Sequence, residues 1–214
     1  MKISAAKENI LKRIRQALTH STPLPFPQSE GNNSVFHAAR QEPEVEFAER
    51  FTQLEGKFIF SVNHKELISQ LSSLVNSMGW ESIYFREKGL QNMLKKNHFV
   101  NFSSEGLAQC DAAITSCEFL IARTGSIVMS TAQQSGRTVS VYAPIHICIA
   151  YTKQLVYDVR DGLQMIKEKY NEQLPSLITF ATGPSRTADI VKTLIIGVHG
   201  PKEVYVFLVD EEEP

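Results

Sequence analysis

The chain has 214 residues, 43% of them hydrophobic and 21% charged, with a formal net charge of −1. Length and composition favour one soluble domain with a small appendage, and the balanced charge gives no electrostatic basis for a nucleic-acid partner. No apolar run approaches the roughly 20 residues of a bilayer-spanning helix, and the charge-broken N-terminus MKISAAKENILKRIRQAL lacks a secretory apolar core, so a cytoplasmic location is expected.

Ser4 reads as the N-cap of a helix to about Leu18, with Ile10, Leu11, Ile14, Ala17 and Leu18 on one face and Lys7, Lys12, Arg13 and Arg15 on much of the rest. Pro23, Pro25, Pro27 and the run Gly31-Asn32-Asn33-Ser34 exclude regular structure between His20 and Arg40. Residues 1–43 are therefore expected to be an amphipathic helix on a proline-rich arm. Such a helix is poorly placed to complete its own domain's core and suits a second copy or a partner chain. The domain proper is expected over residues 44–214.

Val45, Phe47, Ala48, Phe51 and Leu54 predict a helix stopped by Gly56, and Lys57 to Val62 a strand. Asn63 with Glu66 three residues on forms a capping box for a helix that Gly79 ends. Ser82 to Phe85 is a strand, Leu90, Met93 and Leu94 mark a helix, and His98 to Phe102 a short strand. This alternation predicts an α/β fold, a mainly parallel sheet flanked by helices. From Asp111 the pattern changes. Ala112–Thr115, Phe119–Ala122, Ser126–Ser130, Thr138–Tyr142 and His146–Ala150 are short apolar pieces with no helix between them, so a β-rich excursion of antiparallel turns is expected. Asp158 or Asp161 starts a helix to about Tyr170.

Leu177 to Asp210 reads as strand, turn, helix, turn, strand, with Gly183-Pro184 opening the helix and Gly197 closing it. In its turn, Ser185, Thr187 and the fork of Arg186 accompany the first-turn N–H groups, a combination suited to phosphate or carboxylate. Gly183, Pro184, Ser185, Arg186, Thr187 and Asp189 are the first candidate ligand-binding residues, with Asp189 orienting Arg186 or Ser185. The Thr124-Gly125-Ser126 turn, Arg137 and His146 are candidate neighbours, and His199 is the side chain best suited to proton transfer near neutral pH. The plain alternative is that the hydroxyls only cap and the arginines only meet solvent. Glu118 lacks the glycine-rich context of a covalent nucleophile and reads as structural.

Cys110, Cys117 and Cys148 are too few and too scattered for a disulfide framework or an iron–sulfur cluster. No His or Cys set has zinc spacing. Neither a metal nor a cofactor is expected.

TGPSRTADI followed by GVHGP, with DAAIT, IARTGSIVM and GRTVSVYAPIHI upstream, resembles the LUD-domain family of lactate-utilisation protein C type. The resemblance covers most of the chain from about Glu44. It implies an α/β fold like that of the isomerase and CoA-transferase-like proteins, and a role beside iron–sulfur partner proteins in oxidising L-lactate to pyruvate. Val191 and Arg123 stand where the family usually carries acidic residues. Two functions are weighed on this basis. One is a non-redox component of an iron–sulfur-dependent lactate-oxidising assembly that binds a small anion or docks on partner subunits, with self-association through the N-terminal helix also open. The other is a self-standing enzyme binding a phosphate or CoA group, of the isomerase, acyl-transferase or cyclo-ligase kind.

Overall fold

The computed structural model describes residues 5–19, 39, 41–99, 106–188, 194–197 and 199–210. The chain divides into two compact units, residues 1–38 and 39–214. Within the first, α1 (Ala5–Leu18) is the predicted amphipathic helix, and its Ile10 and Ile14 are exposed. The proline-rich arm lies outside the described residues.

The second unit begins with α2 (Pro43–Gln53), whose Phe47 and Phe51 stack with ring centroids 5.4 Å apart. β1 (Lys57–Ser61) leads into α3 (His64–Met78). Here local chemistry decides the boundaries. Asn63 Oδ1 accepts from Glu66 N at 3.0 Å, and Glu66 Oε2 accepts from Val62 N at 2.8 Å, so the start of α3 is satisfied from both sides. Gly79 ends it at φ +66°. β2 (Ile83–Tyr84) and α4 (Lys88–Lys96) follow. The strand expected from His98 does not begin there: His98 has φ +62°, and Phe99 N returns to Leu94 O, closing α4 with a helix-terminating turn. Residues 100–102 of that expectation lie outside the described residues.

β3 (Ala112–Thr115), β4 (Phe119–Ile121) and β5 (Ser126–Ser130) come next. The expected strand at Thr138–Tyr142 is instead the single helical turn α5 (Val139–Tyr142), because Val141 N and Tyr142 N both return to Thr138 O. β6 (Ile145–Tyr151), β7 (Leu155–Val156) and α6 (Val159–Lys169) follow, and Asp158 is the N-cap of α6, accepting from Arg160 N at 3.0 Å. The remaining strands are β8 (Ile178–Ala181), β9 (Arg186–Ala188), β10 (Leu194–Ile196) and β11 (Glu203–Val209).

The main sheet has the order β1-β11-β6-β3-β2 and is parallel throughout. A second sheet, β7-β4-β5-β8, has antiparallel β4–β5 and β5–β8 pairs. The β-rich middle is therefore interleaved between two sheets, β3 and β6 entering the parallel one, rather than forming one run of turns beside it. Leu67, Leu71 and Val75 of α3 and Leu90, Met93 and Leu94 of α4 pack with Ile147, Ile149 and Phe207 on one face of the main sheet. On the other face Cys148, Ala150, Val206 and Leu208 meet Phe47 and Phe51 of α2 and Leu120 and Ile127 of the second sheet. The far side of that second sheet is covered by α6 through Phe119, Ile121, Val128 and Ile166.

The closing strand–helix–strand unit is also corrected. β8 joins the second sheet antiparallel to β5, whereas β11 joins the main sheet, so the two are not one parallel crossover unit. Where the helix was expected, β9 and β10 form an antiparallel pair with Ile195 opposite Thr187 and Ile196 opposite Arg186. The β-branched residues of that pair favour extended backbone. The turn Ser185 is tied on both sides, its N–H to Pro201 O and its carbonyl to Gly197 N, so it cannot begin a helix. Residues 189–193 lie outside the described ones.

Candidate functional site

The structure brings two of the expected turns together. β5 and β8 pair with Ile127 opposite Ala181, so Ser126 and Thr182 sit at one end of the second sheet. Both turns lie against the C-terminal half of α2: a Cβ at Gly125 would come within 2.7 Å of Phe51 N, and one at Gly183 within 2.5 Å of Leu54 O. Glycine at φ +62° and +131° is what allows these approaches. Thr124 Oγ1 and Ser126 Oγ share a hydrogen bond at 2.7 Å. The Arg186 guanidinium donates to Leu54 O at 3.0 Å and pairs with Glu55 Oε2 at 3.1 Å. A cation at the carbonyl end of a helix is well placed electrostatically, and here it is already engaged. Ser185 N, one of the donors expected to face a ligand, is spent on Pro201 O at 2.9 Å. Pro184 shares this turn, Thr187 lies in β9, and Asp189 falls outside the described residues.

From Ser185 the chain reaches a cleft of about 370 Å³ lined by Val141, Tyr142, Pro144, Gly197, His199, Gly200 and Lys202. A Cβ at Gly200 would meet Ser185 Cβ at 2.9 Å, so the Gly183–Arg186 turn and the GVHGP loop are packed directly on each other. The cleft opens at the amino ends of β6 and β11, where Ile145 stands opposite Glu203. That is the opposite end from the one open α/β sheets usually use for ligands. Lys202 is fixed by its backbone, its N–H donating to Pro144 O at 2.7 Å. Its stem crosses Gly197, where a Cβ would lie 2.3 Å from Lys202 Cγ. Glu203, its sequence neighbour, is turned the other way and accepts from Lys57 Nζ at 2.6 Å and Tyr205 Oη at 2.7 Å. Those bonds, from Lys57 first, hold the Glu203 carboxyl below its ordinary range. His199 and Lys202 are exposed and have no side-chain hydrogen bond or ion pair among the described residues. The cleft thus presents an ammonium and an imidazole to an incoming anion.

Two expected neighbours are elsewhere. Arg137 donates to Ser176 Oγ at 2.9 Å beside the start of β8, the end opposite Gly183. His146 is buried on β6, its Nε2 2.8 Å from Thr115 Oγ1, and burial lowers its pKa to about 4. It is a neutral core histidine near pH 7.

A polar cluster at the carboxyl ends of β2 and β3 escaped the reading of the sequence. Glu87 accepts from Ser116 N at 3.0 Å and from Ser116 Oγ, which accepts in turn from Gln133 Nε2 at 2.9 Å. Gln133 Oε1 accepts from Ser130 N at 2.9 Å, and Ser130 Oγ donates to the buried Glu118. Lys169 Nζ and Tyr170 Oη complete Glu118, each at 2.8 Å. Burial, then the bond to Glu118, raises the Tyr170 pKa. Glu118 is saturated by donors, which is the chemistry of a strut. The available signal was a lone carboxylate inside the apolar run CEFLIA. Nearby Cys117 is hydrogen-bonded to Cys148, and that bond and burial push its thiol well above the usual range. Among the described residues, no group of three or more His, Cys, Asp or Glu gathers to hold a metal, and no helix is long and apolar enough to cross a membrane.

A family model described as "LUD domain" matches residues 46–209. A lactate utilization protein C from Shouchella clausii is 30% identical over 143 residues, 63% of this chain and 62% of that protein. A second, from Deinococcus radiodurans, is 35% identical over 104 residues, 48% of each chain, so the first two matches span two thirds or less of those relatives. A third, from Anoxybacillus flavithermus, is 25% identical over 97% of this chain and 100% of its own. The crystal structure of a DUF162 family protein from Deinococcus radiodurans superposes with a TM-score of 0.59 at 20% identity, covering 81% of this chain and 99% of that one.

Proposed function

The chain belongs to the LUD domain family, and from that membership we propose that it is a component of a lactate-utilisation system, the role named in its relatives. In this reading the chain carries no redox centre of its own. It binds a small anion in the cytoplasm and docks on iron–sulfur proteins that pass on the electrons from lactate. What supports the ligand is the cleft, where His199 and Lys202 face solvent uncommitted while Arg186, Arg137 and His146 are engaged elsewhere. A lactate or pyruvate carboxylate would take the Lys202 ammonium, and His199 would hold or release a proton at the adjoining oxygen. The Gly183–Arg186 turn, packed on Gly200 through Ser185, would form the wall behind it. The exposed Ile10 and Ile14 of α1 suit a docking helix.

The test has two arms. Purification from native extract, with metal analysis and lactate-dependent dye reduction of the fractions, should recover the chain with iron–sulfur proteins. Recovery alone, from an extract whose lactate-oxidising fraction lacks the chain, would end the docking reading. Calorimetry should show lactate, pyruvate or inorganic phosphate binding the native chain and binding Lys202→Ala at least fivefold more weakly. Unchanged affinity in that variant would place the anion elsewhere.

A further inference from the structure

The cleft is larger than a three-carbon acid needs. Its volume of about 370 Å³ falls in the range, roughly 300–1,000 Å³, of pockets that enclose ligands of drug or cofactor size. Its walls are also chemically divided. Lys202 and His199 supply the polar side, and Val141, Tyr142 and Pro144 supply an apolar one.

The apolar side is held open. Val139 and Ser140 of α5 are buried, whereas Val141 and Tyr142 on the same turn are 43% and 60% exposed. The backbone beneath them is fixed by the bonds of Val141 N and Tyr142 N to Thr138 O. An aromatic ring displayed on an anchored turn loses little freedom when a flat partner lies on it. No hydrogen bond engages the Tyr142 hydroxyl among the described residues. Between the two sides run Gly197 and Gly200, and each is closed to a side chain, by Lys202 Cγ and by Ser185 Cβ. That space is taken up by those two neighbours, so both glycines line the cleft with backbone alone.

We propose that the cleft takes a phosphorylated ligand bearing a flat ring, of the nucleoside monophosphate class, with its phosphate at Lys202 and His199 and its ring on Tyr142 and Val141. The inference rests on the anion-site reading above and adds the second half of the ligand. A compact ammonium with three donors suits a phosphate, and base-on-aromatic stacking tolerates any base, so the class rather than one base is specified.

The probes are AMP, adenosine and inorganic phosphate, titrated calorimetrically into the full chain and into Lys202→Ala, Tyr142→Ala and Tyr142→Phe. Both altered side chains are exposed, and circular dichroism checks that each variant keeps the native fold. AMP is expected to bind at least tenfold more tightly than phosphate or adenosine. Tyr142→Ala should cost AMP at least fivefold and cost phosphate clearly less, Tyr142→Phe should retain AMP within twofold, and Lys202→Ala should weaken AMP and phosphate alike. Phosphate or lactate binding that depends on Lys202, with AMP no tighter than phosphate, overturns the ring site and leaves the anion site standing. No binding of any anion ends both. AMP binding indifferent to Tyr142→Ala overturns the inference as well.

Discussion

Arg123 Nε lies 2.7 Å from Asp158 Oδ2, and the same aspartate caps α6 through its other oxygen. Neither paired atom makes an aligned hydrogen bond, so the contact is one of charge. Asp158 is buried and Arg123 only partly exposed, so removing the cation leaves a carboxylate short of its partner in a poorly solvated place. Arg123→Ala is expected to cost about 1–3 kcal/mol, read as a lower midpoint in urea unfolding. An unchanged midpoint would mean that α6 keeps its cap without the ion pair.

His146 gives a pH dependence. Its folded pKa is about 4 against an unfolded value of about 6.5. Between those values the unfolded chain binds the proton and the folded one does not, so stability falls as pH drops from about 6.5 toward 4. The full effect is roughly 3 kcal/mol, from about 1.4 kcal/mol per pKa unit. His146→Gln, measured by urea unfolding at pH 7 and pH 4.5, should lose less stability across the interval than the native chain. Parallel losses would show that other groups carry the acid sensitivity.

Gly183 combines φ +131° with a carbonyl 2.5 Å from where a Cβ would stand. Gly183→Ala should therefore lower stability by about 1–3 kcal/mol, with a matching fall in melting temperature. A neutral substitution would show that the turn can withdraw from Leu54.

Glu118 is bonded by Ser130, Lys169 and Tyr170. Glu118→Leu strands the buried Ser130 hydroxyl and the Tyr170 hydroxyl and is expected to cost about 2–4 kcal/mol. Lys169→Ala, whose side chain is mostly exposed, should cost less than about 1 kcal/mol. Equal losses from the two variants in chemical denaturation would contradict a cluster held mainly by its buried members.

Removing residues 1–38 should leave residues 39–214 with a cooperative melt and reduce association, measured by light scattering and by recovery of partner proteins. Loss of the cooperative transition would make α1 part of the domain's core.

The readable parts of the fold were those fixed by neighbours in sequence. Asn63, Glu66 and Gly79 bound α3 by contacts within four residues, and Asp158 starts α6 the same way. β8 was legible as a strand but its sheet was not, because that depends on distant pairing, and β9 was read as helix. Ile178 to Ala181 is an apolar run equally suited to either sheet, and β5, some 50 residues earlier in sequence, decides between them. Likewise Leu194 and Ile195, which with Ile190 carry helical spacing, pair as a strand with β9 once Ser185 is captured by Pro201 and Gly197. In the site, residue types were legible and their commitments were not. Arg186 and His199 look equally available as letters, and only Glu55 and Leu54 O, brought close by folding, separate them.

β11 lies between β1 and β6, yet it is the last of the described strands in sequence. During synthesis on the ribosome, β1 emerges without the strand it must pair with, and roughly 140 residues follow before Tyr205 can meet Lys57. Until then β6 also lacks one of its two neighbours, and two apolar edges stay open. Sheet closure must therefore wait until β11 has been made, and its sequence separation predicts slow folding with an aggregation-prone interval. A chain truncated before Glu203 should accumulate as a chaperone client rather than as a smaller folded domain.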